Sequence, residues 1–241
     1  MRDYKEEVVR RVEFIKNILS NANAKGVVFG NSGGKDSALV GILCKMACEN
    51  TVGVIMPCGV SANYQSDKED ALKVAKQFDI ETREVDLMEV KQSEIKALEN
   101  VCQLTDSAKL NIAPRLRMTT LYAIGAAENR LVAGTSNRSE FYVGYFTKWG
   151  DGACDFNPIA DLTATEVLAF LKYLGAPSSI TDKAPSAGLK EDQTDEKEMG
   201  VSYATLDRYI TTGECIDEKE KAIIDRLHKV SHHKRHPIKK F

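Results

Sequence analysis

The chain has 241 residues, 33 lysines and arginines against 35 aspartates and glutamates, and a formal charge of −2. That balance excludes a global pull toward nucleic acid or anionic lipid, and the length fits a single α/β domain, residues 1–241, with insertions and a sizeable core. No apolar run is long enough to span a bilayer and charge begins at Arg2, so the expectation is a cytoplasmic protein with neither membrane nor nucleic acid as partner.

Taken in order, Val8, Val12, Ile15 and Leu19 recur at helical spacing before a polar break at residues 20–23, which predicts an amphipathic first helix. Val27, Val28 and Phe29, ended by Gly30, read as a buried parallel strand. A polar, glycine-bearing turn leads to a helix over residues 36–48, on which Cys44 and Cys48 lie one turn apart. The chain's six cysteines form no C-x-x-C pair, and reduced structural thiols are expected. A strand over 51–56 stops at Pro57, a helix runs over 63–78, a strand over 82–87 and a helix over 90–101. Strands alternating with helices predict a doubly wound parallel sheet flanked by helices, with its ligand site beyond the carboxyl ends of the strands.

Residues 111–114, N-I-A-P, predict the opening of a long helix with Pro114 in its first turn and Arg115 and Arg117 near its start. Residues 131–135 read as the fourth strand. The stretch that follows mixes aromatics, charges and glycines, which suits a binding loop better than a packed element. Thr163 and Glu166 bracket a capping box ahead of Val167, Leu168, Phe170 and Leu171, and Gly175 and Pro177 stop that helix. From 181 to 200 apolar residues thin out, which predicts a mobile surface loop. Two amphipathic helices and a basic segment, S-H-H-K-R-H, follow. His232, His233 and His236 have no cysteine partners, so zinc is not expected there; a solvated tail or nonspecific nucleic-acid patch is the plain alternative.

The turn between the first strand and its helix carries the chemistry. A helix N-terminus there presents unpaired N–H groups and a partial positive charge, which makes a phosphate cradle of Gly30, Asn31, Ser32, Gly33, Gly34, Lys35, Asp36 and Ser37. Three residues between Gly30 and Gly34, and Asp36 after Lys35, rule out a Walker A loop. An acid inside a phosphate cradle calls for a cation between them, so Asp36 reads as a Mg2+ ligand.

At residues 32–37 the loop S-G-G-K-D-S resembles the pyrophosphate-binding loop of the N-type ATP pyrophosphatases, with their adenine-nucleotide alpha-hydrolase-like fold. G-T-S-N-R-S-E, G-Y-F-T-K-W-G-D-G, K-A-P-S-A-G-L, Q-T-D-E and H-K-R narrow that resemblance to the ammonia-dependent NAD synthetases, in register over nearly the whole chain. The resemblance implies ATP-dependent amidation of deamido-NAD with ammonia, through an acyl adenylate, by a homodimer that uses Mg2+. It implies that residues 30–37 with Thr135 and Ser186 hold ATP, and that Asp36 and Glu140 hold Mg2+. It further implies that Arg117, Lys148, Asp155, His233 and Lys234 bind deamido-NAD.

Each position also has a plainer reading: Glu140 as a helix N-terminal acid, Thr135 as a strand end, and Tyr145, Phe146 and Trp149 as core rather than cover for a ring. Asp151, on a G-D-G turn, fits turn chemistry or a carboxylate that binds ammonium and removes its proton. Ala164 stands where the family usually has an ATP-contacting lysine, and Lys190 where many relatives carry an aromatic residue. The alternatives are another adenylating ATP pyrophosphatase, of guanylate-synthetase or tRNA-thiolation type, and a non-catalytic nucleotide-binding module.

Overall fold

Val27, Val28 and Phe29 lie at the centre of a four-stranded parallel sheet in the computed structural model, which describes residues 2–59, 64–182 and 195–241. The strands are β1 (Gly26–Gly30), β2 (Thr51–Ile55), β3 (Glu81–Glu84) and β4 (Arg130–Ala133), in the order β3-β2-β1-β4. Val28 pairs with Val52 on one side and Val132 on the other. Alternate side chains leave opposite faces of a strand. Val27 and Phe29 therefore pack with Leu39, Ile42 and Leu43 of α2 (Lys35–Ala47), Ile15 and Leu19 of α1 (Tyr4–Asn21), and Phe170 and Leu171 of α7 (Ala164–Tyr173). Val28 faces the other way, with Ala113 and Leu121 of α5 (Asp106–Glu128). Helices on both faces make the sheet doubly wound, as the alternation of patterns predicted.

Two further helices, α3 (Tyr64–Gln77) and α4 (Met88–Glu99), follow β2 and β3. The later chain adds α6 (Arg138–Val143), α8 (Ser178–Thr181), α9 (Asp195–Met199), α10 (Tyr203–Thr212), α11 (Glu218–Val230) and α12 (His232–Arg235). A smaller core joins Val143, Ala164, Met199, Tyr203, Leu206 and Ile224 from α6, α7, α9, α10 and α11. Of the loop predicted over 181–200, residues 183–194 lie outside the described residues, and this core takes in its far end. Thr181 ends a helix, and Asp195 and Met199 are buried in another, because Met199, Val201 and Tyr203 supply the burial that the polar composition hid. Ser186 and Lys190 lie outside the described residues.

Pro114 is not in a first turn. Thr105 caps α5, accepting from the Ala108 N–H, and Pro114 sits buried well inside the helix. A helix-interior proline loses one hydrogen bond and crowds the preceding turn. Here it gains a packing partner: a Cβ placed on Gly150 would come within 2.8 Å of Pro114 Cβ, so the 144–155 loop rests directly on the proline. Arg115 and Arg117 are consequently mid-helix.

Candidate active site

Strand β1 has β2 on one side and β4 on the other, so the connections leaving β1 and β4 diverge and open a crevice at the carboxyl end of the sheet. Both connections deliver a helix N-terminus to that crevice: the 30–37 turn leads into α2, and residues 134–137 into α6. Thr135 is in the second connection, just beyond β4 rather than within it.

The first turn is tightly built. Ser32 Oγ and Ser37 Oγ are 3.1 Å apart, and Ser37 Oγ also donates to Gly34 O at 3.0 Å. Gly33 has φ +77, and a Cβ there would lie 2.0 Å from the Asp67 carbonyl oxygen of α3. The glycine thus admits a neighbouring helix as well as leaving the loop open. Asn31 is buried, with its N–H donating to Val54 O at 2.8 Å.

The two connections meet through Asn137. Its side chain is wholly buried, donates to Asp36 Oδ1 at 3.0 Å, and accepts from Ser139 N and Glu140 N as the cap of α6. Glu140 completes the capping box by accepting from Asn137 N through Oε2 at 3.3 Å. Its other oxygen lies 3.8 Å from Lys35 Nζ, which contacts Asp36 Oδ2 at 2.5 Å. Glu140 is therefore both helix cap and crevice carboxylate. The stretch expected as an open binding loop contains this helix, whose six residues are too few to show a 3.6-residue period.

Charge is concentrated here and shielded from water. Burial and the neighbouring Asp36 push the Glu140 carboxyl well above the ordinary range, despite Lys35. Burial pulls on the Lys35 ammonium in the opposite sense, but Asp36 and Glu140 outweigh it and its pKa lies above the usual lysine value. Tyr203, 5.3 Å beneath that ammonium, donates its hydroxyl to Asp195 at 3.0 Å. Burial first, and the nearby Glu140 and Asp195 carboxylates next, push its phenol far up. Sequence reading missed Asn137, Asp195 and Tyr203. Asn137 left a signal as the first residue of N-R-S-E and Asp195 as the third of Q-T-D-E, but neither was assigned to the site.

Two carboxylates converging on one cation are the hard-oxygen donor set that Mg2+ takes, and Asp36 with Glu140 fit it. Among the described residues no group of three or more His, Cys, Asp or Glu is arranged to hold a metal. Phosphate oxygens and water would have to complete the shell.

A second cluster gathers at the other end of α6. Lys234 Nζ donates to the carbonyls of Gly144 and Phe146 at 2.9 and 2.7 Å, and Lys148 Nζ to His233 O at 2.8 Å. Gly144 has φ +70, and a Cβ there would lie 2.1 Å from Ser231 Cβ, so only glycine lets the chain after α11 approach. Asp151 is exposed on its turn and accepts from Thr147 N at 3.0 Å; partial desolvation of its carboxyl pushes its pKa up against that hydrogen bond. Arg117 donates Nε to Met56 O at 3.0 Å and forms no ion pair among the described residues; burial pulls its pKa down, with Asp151 partly opposing. Trp149 is 53% exposed at φ 62, a left-handed conformation uncommon for a large residue, with Lys148 Nζ 5.4 Å from its ring. Tyr145 and Phe146 are half-buried instead, Phe146 stacking on Phe141 at 5.7 Å. Asp155 stands apart from both clusters: its carboxylate accepts from Val132 N at 2.8 Å and Tyr122 Oη at 3.3 Å, closing the outer edge of β4.

A doubly wound sheet carrying a glycine-bearing cradle and paired carboxylates at its switch point defines a nucleotide-binding α/β domain of the nucleotide alpha-hydrolase-like type. The family model described as NAD synthase matches residues 7–238. A Carboxydothermus hydrogenoformans protein named NH(3)-dependent NAD(+) synthetase is 44% identical, covering 97% of this chain and 96% of that one. One of the same name from Archaeoglobus fulgidus is 43% identical over 95% and 94%. Among solved structures, an NMN synthetase from Francisella tularensis superposes with TM-score 0.93 at 36% identity, over 100% of this chain and 99% of that one. An NH3-dependent NAD synthetase from Campylobacter jejuni gives 0.82 at 32%, over 100% of both. The chain belongs to the NAD synthase family.

Proposed function

We propose that this chain amidates the nicotinate carboxylate of deamido-NAD with ammonia at the expense of ATP, releasing AMP and pyrophosphate. The observation that carries the reading is the meeting of Asp36 and Glu140 at one cation, beside a phosphate cradle, in a chain of this family. Family membership sets aside guanylate-synthetase, tRNA-thiolation and non-catalytic readings.

Residues 30–37 and Thr135 bind the nucleotide, with the α2 N-terminus facing its phosphates. Asp36 and Glu140 hold Mg2+, which supplies charge neutralisation at the reacting phosphate. Arg117, Lys148 and Lys234 orient the acceptor and screen its carboxylate as it attacks the α-phosphorus of ATP. Asp155, committed to β4, serves the acceptor by fixing the edge it lies on. The acyl adenylate then takes ammonia. Asp151 binds ammonium and accepts the proton that must leave before nitrogen can attack; a carboxyl with a raised pKa suits that exchange. His233 takes part through its backbone, holding Lys148. The working unit is a homodimer in the cytoplasm.

One observation favours a second acceptor. The higher TM-score belongs to the relative named NMN synthetase, and nicotinate mononucleotide presents the same carboxylate. The test is a single panel: ATP, Mg2+ and ammonium with deamido-NAD, nicotinate mononucleotide or neither, reading AMP and amide product. NAD formation at the higher kcat/KM supports the first reading, and NMN formation the second. AMP production independent of any nicotinate acceptor defeats both.

A further inference from the structure

The position between Gly34 and Asp36 is occupied by a side chain that a phosphate cradle does not require. Lys35 is buried, its side chain 6% exposed, with its ammonium turned away from solvent into the carboxylates of the crevice. It lies 2.5 Å from Asp36 Oδ2, 3.8 Å from Glu140 Oε1 and 5.3 Å from the Tyr203 ring, whose hydroxyl is bonded to Asp195. Asp36 and Glu140 are fixed independently of it, the first by Asn137 Nδ2 and the second by the α6 capping box. Two carboxylates so held, out of water, repel each other unless a positive charge stands between them. Lys35 provides that charge at the place where the metal reading puts a divalent ion.

We propose that Lys35 is a positioning residue that holds the metal's place between Asp36 and Glu140 in the nucleotide-free chain, and yields it when nucleotide and metal arrive together. The inference rests on the assignment of Asp36 and Glu140 to the metal. A lysine suits the exchange because its charge is compact and its four-carbon stem is flexible, whereas a guanidinium would hold both carboxylates in a rigid fork. Metal alone must displace a well-placed ammonium that has nowhere better to go. Metal carried on nucleotide phosphates brings the displaced ammonium a new anionic partner. Metal and nucleotide therefore bind with positive coupling, and by linkage each tightens the other equally.

The test reads Mn2+ binding to the full nucleotide-free chain by electron paramagnetic resonance, in wild type and Lys35→Met. The expected result is weak binding to wild type, binding about tenfold tighter in Lys35→Met, and loss of most of the mutual tightening between Mn2+ and ATP. Adding Asp36→Asn or Glu140→Gln to Lys35→Met should abolish the gain. Equal or weaker Mn2+ binding in Lys35→Met overturns the proposal, as does a gain that survives both carboxylate changes. If Lys35→Met unfolds in metal-free buffer, millimolar Mg2+ should restore its far-ultraviolet circular dichroism; a variant unfolded with and without metal also overturns it. These readouts need no turnover. A wild-type reaction independent of divalent ions would instead defeat the metal reading, which keeps the two failures distinguishable.

Discussion

Among the described residues Asp36 is tied to the fold by one long-range hydrogen bond, from Asn137, and it is not part of the apolar core. Asp36→Ala should therefore lower pyrophosphate release on the order of a thousandfold while leaving circular dichroism and secondary structure unchanged. Near-normal turnover would remove it from the metal. Asp151 is argued differently, because its carboxyl is already bonded to Thr147 N and could simply shape the turn. An amide can still accept that hydrogen bond but cannot take a proton from ammonium. Asp151→Asn should keep acceptor KM and adenylate formation, and lower amide formation about a hundredfold at saturating ammonium. Unchanged ammonium dependence would leave Asp151 as turn chemistry. At this scale the sequence disclosed residues whose type alone is odd for their place, such as an acid in a phosphate cradle. It showed Asp195 only as part of Q-T-D-E and could not place it or Tyr203 beside Lys35, because that meeting depends on a small core assembled from five separate helices.

Among elements, α1 is fastened to the rest by charge as well as by Ile15 and Leu19. Arg11, buried, donates to Glu7 at 2.6 Å, to Asp161 at 2.7 Å and to the Pro158 carbonyl, while Arg2 reaches Asp161 and Glu166 at 2.9 and 2.8 Å. Burial alone would raise the Asp161 and Glu166 carboxyls, but the arginines outweigh it and both lie below the ordinary range. A depressed carboxylate stabilises the fold above its unfolded pKa, and the contribution is lost as pH falls through the folded value. Arg11→Met should destabilise the protein by about 2 kcal/mol at pH 7, the exposure of Asp161 keeping the loss below that of a fully buried pair. The gap in Tm between variant and wild type should narrow below about pH 4. A gap that stayed constant with pH would mean lost packing rather than lost pairing.

Periodicity made α1, α2 and the strands legible, and the Thr163–Glu166 box gave α7. Pro114 misled because the first-turn rule describes an isolated helix, whereas here the 144–155 loop occupies the space beside the proline. Helix α6 escaped because it is short, and because its aromatic and polar residues serve two clusters instead of one face.

For the molecule as a whole, α5 presents a smooth outer strip, Thr119, Ala123, Ala126 and Ala127 all exposed, on the same helix as Arg117. The inner faces of α1 and α5 pack in this chain's own core, so in the proposed homodimer a symmetric partner would use what remains outside. Ala126→Arg should give a monomer by sedimentation and raise KM for the nicotinate acceptor several-fold, with ATP binding retained. A fully active monomeric wild type would exclude the dimer.

The segment after α11 has a consequence for synthesis. The phosphate cradle, both carboxylates and the whole sheet lie before residue 141, whereas the acceptor cluster depends on Ser231, His233 and Lys234, which reach back to Gly144, Phe146 and Lys148. A ribosome therefore releases the cradle and both carboxylates first, then α7 and the Asp195–Tyr203 pair that pack behind them, and last the residues that tie down the 144–148 loop. On the proposed function, a growing chain would have no finished seat for the acceptor carboxylate until residues 231–234 emerge, so no reactive adenylate would form for water to waste.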